Sequence, residues 1–222
     1  MKKVLHRYSV VAFALLLFSL VAKAQDTPPV EKKPYTAITG GALVEANVTG
    51  FFHSGIGGGA SRMKPGLSAG GFLNFGIVRS FSVQGEMIFH YKHSNFEWDG
   101  QIGKFLYWGV EIPIYAFYHI ELRKGERMSF GFGPYTEFGF GASFKHDGIK
   151  NNLFETDESS GLPVLRDSNS GFGIKASYEF PSGLQLNVAY KASITNLLDA
   201  NSNTANMYPH ALSVGIAYRF RK

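Results

Sequence analysis

Along most of this chain, large apolar residues alternate with small or charged ones at a period of two. The last segment shows it most clearly: Leu212, Val214, Ile216, Tyr218 and Phe220 fall on one face, and Ala211, Ser213, Gly215, Ala217 and Arg219 on the other. A period of two marks β-strands. The pattern recurs upstream. Ile38, Ala42, Val44, Ala46 and Val48 oppose Thr39, Glu45, Asn47 and Thr49. Leu67 to Ile77 opposes Ser68, Gly70, Asn74 and Gly76, and Phe81 to Tyr91 opposes Ser82, Gln84, Glu86 and His90. Leu106 to Tyr118 opposes Tyr107, Gly109 and Glu111. Phe130, Phe132, Phe138 and Phe140 oppose Ser129, Gly131, Gly133, Tyr135, Glu137, Gly139 and Gly141. Phe172 to Phe180 opposes Gly173, Lys175, Ser177 and Glu179, and Leu184 to Tyr190 opposes Gln185, Asn187 and Lys191. Eight strands are predicted.

The predicted connections alternate in length. Short ones lie near Val78 to Ser80, Leu122 to Arg127 and Pro181 to Gly183; long ones run from Gly50 to Lys64, Ser94 to Lys104, Lys145 to Ser168 and Asn196 to Tyr208. Short periplasmic turns and longer outer loops are the asymmetry of outer-membrane barrels. The expected fold is an all-β, eight-stranded, antiparallel, up-and-down transmembrane β-barrel. Pro113 and Pro134 interrupt strand interiors that proline avoids. They lie at similar distances from the turn near Lys124, so a shared bulge or ladder gap is expected there.

The N-terminus explains how such a protein leaves the cytoplasm. Lys2, Lys3 and Arg7 precede an apolar run from Val10 to Val21 and a small-x-small site at Ala22-Lys23-Ala24. This is the grammar of a cleaved leader over residues 1–24. A Pro-rich periplasmic tail over 25–36 and a barrel domain over 37–222 follow. The chain holds 22 Lys+Arg and 17 Asp+Glu, but four of the basic residues sit in the leader, leaving 18 against 17. The sequence pI of about 9.3 is therefore no argument for a nucleic-acid partner. The absence of cysteine excludes disulfides, a lipoprotein anchor and thiolate chemistry.

Side-chain volume decides which face meets lipid. An eight-stranded barrel has room inside only for side chains. The Gly-, Ser- and Ala-rich face suits that crowded lumen, while most of the Phe and Tyr suit acyl chains. The lumen then holds Glu45, Glu86, Glu111, Glu137 and Glu179 against Lys175, Lys191 and Arg219. Buried charges must pair, so an ionic network closing the lumen is expected. Tyr218 and Phe220 form a C-terminal aromatic barrel signal.

Lys64-Pro-Gly-Leu-Ser-Ala-Gly-Gly-Phe72 and Phe81-Ser-Val-Gln-Gly-Glu-Met87 resemble the second and third strands of PorT-like outer-membrane β-barrel proteins of Gram-negative bacteria. Val110-Glu-Ile-Pro-Ile-Tyr115 and Gly131-Phe-Gly-Pro-Tyr135 resemble that family's Glu-Ile-Pro and Gly-Pro-Tyr strands. The resemblance covers most of Ala37 to Phe220. It implies a small barrel, often labelled porin-like, some of whose relatives serve gliding or secretion machinery. It implies no catalytic residue.

Chemistry is sparse. Glu111 and Glu137 could form a carboxylate pair, but lumenal Lys or Arg is expected to neutralise each. Of the seven histidines, His6 leaves with the leader, His53 and His146 fall in outer loops, and His90 and His93 sit near the outer end of the third strand. His119 and His210 have no Ser–acid partners by strand register, so the nucleophile–base arrangement of a lipid-modifying enzyme is not expected. Gly55 to Ala60 lacks the Lys-Ser/Thr of a phosphate loop. His146-Asp147 and Asp157-Glu158 read as solvated loop acids. The leading expectation is a non-enzymatic integral outer-membrane scaffold, structural or binding, that presents long outer loops above a plugged lumen. A narrow porin-like channel is the first alternative and a lipid-modifying enzyme the second. No cofactor is expected. The expected partners are outer-membrane lipid, the barrel assembly machinery, and surface or periplasmic proteins.

Overall fold

Among the described residues no helix is long and apolar enough to cross a membrane, and alternating strands satisfy their backbone in lipid by closing a sheet on itself. The computed structural model describes residues 37–55, 61–98, 101–122, 125–155, 164–198 and 205–220. The expected leader and tail lie outside them. The strands are β1 (Ile38–Ser54), β2 (Ser61–Val78), β3 (Phe81–Trp98), β4 (Gln101–Glu121), β5 (Arg127–His146), β6 (Ile149–Asn152), β7 (Ser168–Glu179), β8 (Leu184–Ser193) and β9 (Asn206–Arg219). Antiparallel pairing runs β1-β2-β3-β4-β5-β7-β8-β9, and β9 pairs back onto β1 from Gly41↔Arg219 to Ser54↔Asn206. The ring therefore has eight strands. β6 stands outside it and pairs only with the upper end of β5.

The short turns lie where the pattern puts them, but two of the long outer connections do not. β1 runs to Ser54 and β2 starts at Ser61; β3 runs to Trp98 and β4 starts at Gln101. Segments expected as loops over Gly50 to Lys64 and Ser94 to Lys104 are mostly strand. Above the bilayer both faces can meet water, so the apolar alternation lapses while the ladder continues. The missed signal is the dipeptide Asp-Gly, the preferred two-residue hairpin turn. It occurs at Asp99-Gly100 and at Asp147-Gly148. The second turn has φ of 46° and 85° at its two central residues, as a type I′ hairpin requires, and it folds β6 back on β5.

Outward side chains are apolar and exposed, among them Leu73, Phe89, Ile114, Ile174 and Ile216. Aromatic residues on the outward face mark two belts ten positions apart: Phe81 and Tyr91 on β3, Tyr118 and Trp108 on β4, Phe130 and Phe140 on β5. A membrane-spanning strand needs about 9–11 residues, and aromatic girdles flank the apolar band of such barrels. β4, at 21 residues, thus rises well beyond the outer belt, whereas β8 has only 10.

Not every large ring faces lipid. Phe72, Phe117 and Tyr115 are buried in the lumen; Phe72 and Phe117 each lie against a glycine of the adjacent strand, and Tyr115 reaches across β5 to Gly173 of β7. A Cβ at Gly131 would sit 2.6 Å from the Phe117 ring, and one at Gly173 would sit 2.9 Å from the Tyr115 hydroxyl. Glycine here makes room for a ring. The two prolines do share a ladder gap: β4–β5 pairing stops at Pro113↔Tyr135 and resumes at Ala116↔Phe132. The bulge lies elsewhere, at Phe140, where pairing steps from Gly109↔Gly139 to Trp108↔Gly141. One extra residue inverts the alternation. Gly141, expected on the lumenal face, therefore lies beside the lipid-facing Trp108, and Phe144 turns inward.

Candidate functional site

The lumen is filled in three layers, each built from the inward-facing residues of several strands. At the periplasmic end Glu179 receives Arg127 at 2.7 Å and Arg219 at 2.9 Å, with the Gln185 amide donating at 3.1 Å. Beside it runs a chain of neutral hydrogen bonds. Asn74 donates to the Ser82 Oγ at 2.8 Å, and the two ring nitrogens of His119 lie 2.7 Å from Ser82 Oγ and 2.7 Å from Ser129 Oγ. His119, expected to lack Ser–acid partners, has two serines, and among the described residues no carboxylate pairs with it. This gives a hydrogen-bonded spacer, without the acid that orients the base of a hydrolytic triad.

The middle layer is ionic. Lys175 Nζ lies 2.8 Å from Glu86 and 3.3 Å from Glu45, and the Gln84 amide donates to Glu86 at 2.7 Å. Glu111 and Glu137 are direct cross-strand neighbours. Like charges placed so repel, and the structure answers with a cation on each. Lys191 holds Glu111 at 2.5 Å. Lys92 holds Glu137 at 2.6 Å and approaches Glu111 at 3.9 Å. His90 Nε2 at 2.7 Å and the Asn169 amide at 3.0 Å complete the surroundings of Glu137. All eight charged residues read from the alternation as lumenal are here: Glu45, Glu86, Glu111, Glu137, Lys175 and Lys191 in this layer, Glu179 and Arg219 below it. Two partners went unread, Lys92 and Arg127. Lys92 follows His90 by two positions on the inward face of β3, and Arg127 precedes Ser129 by two on β5. Extending each alternation by one step finds both. Five carboxylates then meet five cations.

The top layer is apolar. Phe51, Phe105, Tyr107, Phe144 and Met207 from the walls pack with Leu153, Leu165, Leu197 and Leu198 from the outer connections. Leu165 and Leu198 join in a single antiparallel bridge, and the Leu197 N–H donates to the Met207 carbonyl at 2.8 Å. The outer connections thus fold into the mouth. Gaps beneath this cap, one beside Lys92 and Leu197 and one beside His90 and Ala211, measure about 10 Å³ each, the volume of one water probe. His146 lies 3.3 Å from Asp147 at the exposed β5–β6 turn, while Asp157-Glu158 falls outside the described residues. Tyr218 and Phe220 both point outward, with ring centroids 6.2 Å apart. The Phe220 N–H donates to Gly40 at 2.8 Å, carrying barrel closure to the last described residue.

An eight-stranded ring with a lipid-facing apolar band, aromatic belts and a filled ionic interior defines a small integral outer-membrane β-barrel. Residues 38–199 match the family model described as outer membrane protein beta-barrel domain, and the chain belongs to that family. Among solved structures it is similar to the outer membrane protein OprG from Pseudomonas aeruginosa, at TM-score 0.53 and 10% identity over 85% of this chain and 99% of that one. It is also similar to neisserial surface protein A, at TM-score 0.48 and 12% identity over 83% and 99%. The attachment invasion locus protein of Yersinia pestis aligns at TM-score 0.42 and 14% identity over 82% and 98%. No curated protein matches the sequence. The protein resides in the outer membrane.

Proposed function

We propose that this protein is a non-enzymatic scaffold of the outer membrane, a sealed barrel that works through its outer rim and lipid-facing wall and passes no solute. The observation that carries this reading is the lumen, stacked from polar, ionic and apolar layers with water-sized gaps between them. The rim that would meet partners is less loop and more wall than the sequence pattern implied, since β2 to β5 rise above the outer belt. The Glu-Ile-Pro and Gly-Pro-Tyr strands support a finer reading as a PorT-like barrel serving a secretion or surface machinery. Planar-bilayer recordings of the refolded full chain test the proposal. No steady conductance is expected, and stable openings in most insertions would overturn it.

A further inference from the structure

Outside the lumen, the outward face of the tall wall carries an arrangement that the scaffold reading does not use. Lys104 on β4 is the direct cross-strand partner of Lys145 on β5, and Lys145 is the direct partner of Lys150 on β6. Three ammonium groups therefore share one rung. Directly opposed like charges destabilise a sheet. All three are exposed, and among the described residues none of them has a carboxylate partner. The rung concentrates three positive charges on the outward face, where they attract an anion from outside the chain.

A groove of about 420 Å³ opens below it. Tyr91, Leu106 and Trp108 form its aromatic and aliphatic wall, Gly141 and Ser143 its floor, and Lys150 its upper rim. The groove follows from the Phe140 bulge. The bulge brings Gly141 outward against Trp108 and Ser143 outward beside Leu106, placing small residues where the pattern would have set large ones. Trp108 and Tyr91 belong to the outer aromatic belt. Lys104 lies four residues above Trp108, about 13 Å along the strand and about 10 Å higher at the usual tilt. A lysine side chain, about 6 Å long when extended, covers part of that height toward the headgroup level. Charge, depth and apolar lining all fit one molecule.

We propose that this wall is a docking site for a phosphorylated lipid of the outer leaflet. Its phosphate lies among Lys104, Lys145 and Lys150, and an acyl chain lies along Leu106 and Trp108. The chain holds two tryptophans, Trp98 and Trp108, so W98F leaves Trp108 as a single reporter inside the groove. The full-length W98F protein is refolded into phosphatidylcholine vesicles doped with either chain-brominated phosphatidic acid or chain-brominated phosphatidylcholine. Bromine quenches the indole on contact. Half-quenching is expected at a mole fraction of phosphatidic acid lower by on the order of a hundredfold, from about 1 kcal/mol for each of the three surface lysines. Added salt should shrink the preference. In W98F carrying K104Q, K145Q and K150Q the two lipids should quench alike. These exposed substitutions leave the barrel intact, as read by its heat-modifiable gel mobility. Equal quenching by both lipids in W98F, or a preference that survives the three substitutions, overturns the proposal.

Discussion

At the scale of single residues, the lumen is held by charges that are expensive to leave alone. Lys175 is the sharpest case, since one buried ammonium serves Glu45 and Glu86, both buried carboxylates. Removing one partner of a buried pair costs about 3–5 kcal/mol because the other is left uncompensated. Lys175→Met should therefore lower the unfolding free energy in vesicles by about that amount, read as an earlier midpoint in urea. Lys175→Met with Glu86→Gln and Glu45→Gln should recover most of the loss, because no net charge remains buried. The charges themselves were legible in the sequence, because polar residues on one face of an alternating strand have only the lumen to enter. Their pairing was not. Lys175 and Glu45 are 130 positions apart, and which cation meets which carboxylate depends on the stagger of the closed ring.

At the scale of strands, alternation located every membrane crossing and every short turn. It did not locate strand height, because above the membrane the ladder persists without its apolar signature. Nor did it locate the inversion after Phe140, since an inserted residue looks like any other residue. Glycine content was legible as composition and became meaningful only as contacts: Gly131 accommodates Phe117, and Gly173 accommodates Tyr115. Overpacking a filled interior costs about 1–3 kcal/mol. Gly131→Val should destabilise the barrel within that range, and combined with Phe117→Ala the loss should be smaller than the sum of the two single losses. The double-mutant cycle is read from urea midpoints. Additive losses would mean that the glycine serves the backbone and not the ring.

At the scale of the whole molecule, the upper lumen is closed by two layers of unlike kind above the polar layer at the periplasmic end, and those two should fail independently. The apolar cap joins the walls to Leu153, Leu165, Leu197 and Leu198. It rests on hydrophobic burial at about 25 cal/mol per Å². The layer beneath rests on ion pairs joining strands across the ring, Lys175 on β7 to Glu45 on β1, and Lys191 on β8 to Glu111 on β4. Replacing the four leucines by serine should free the outer connections and raise their protease sensitivity. It should not open a pore, because the ionic layer still spans the lumen. Removing one pair of the ionic layer with Lys92→Ala and Glu137→Ala should also leave bilayers silent under an intact cap. The combination opens the gaps beside Lys92 and His90 to the outside, yet the Lys175–Glu86 and Lys191–Glu111 pairs and the Glu179–Arg127–Arg219 layer still fill the lumen, so bilayers should stay silent there too. Conductance in the serine variant alone would show that the apolar cap is the sole barrier and that the charges below it already admit ions.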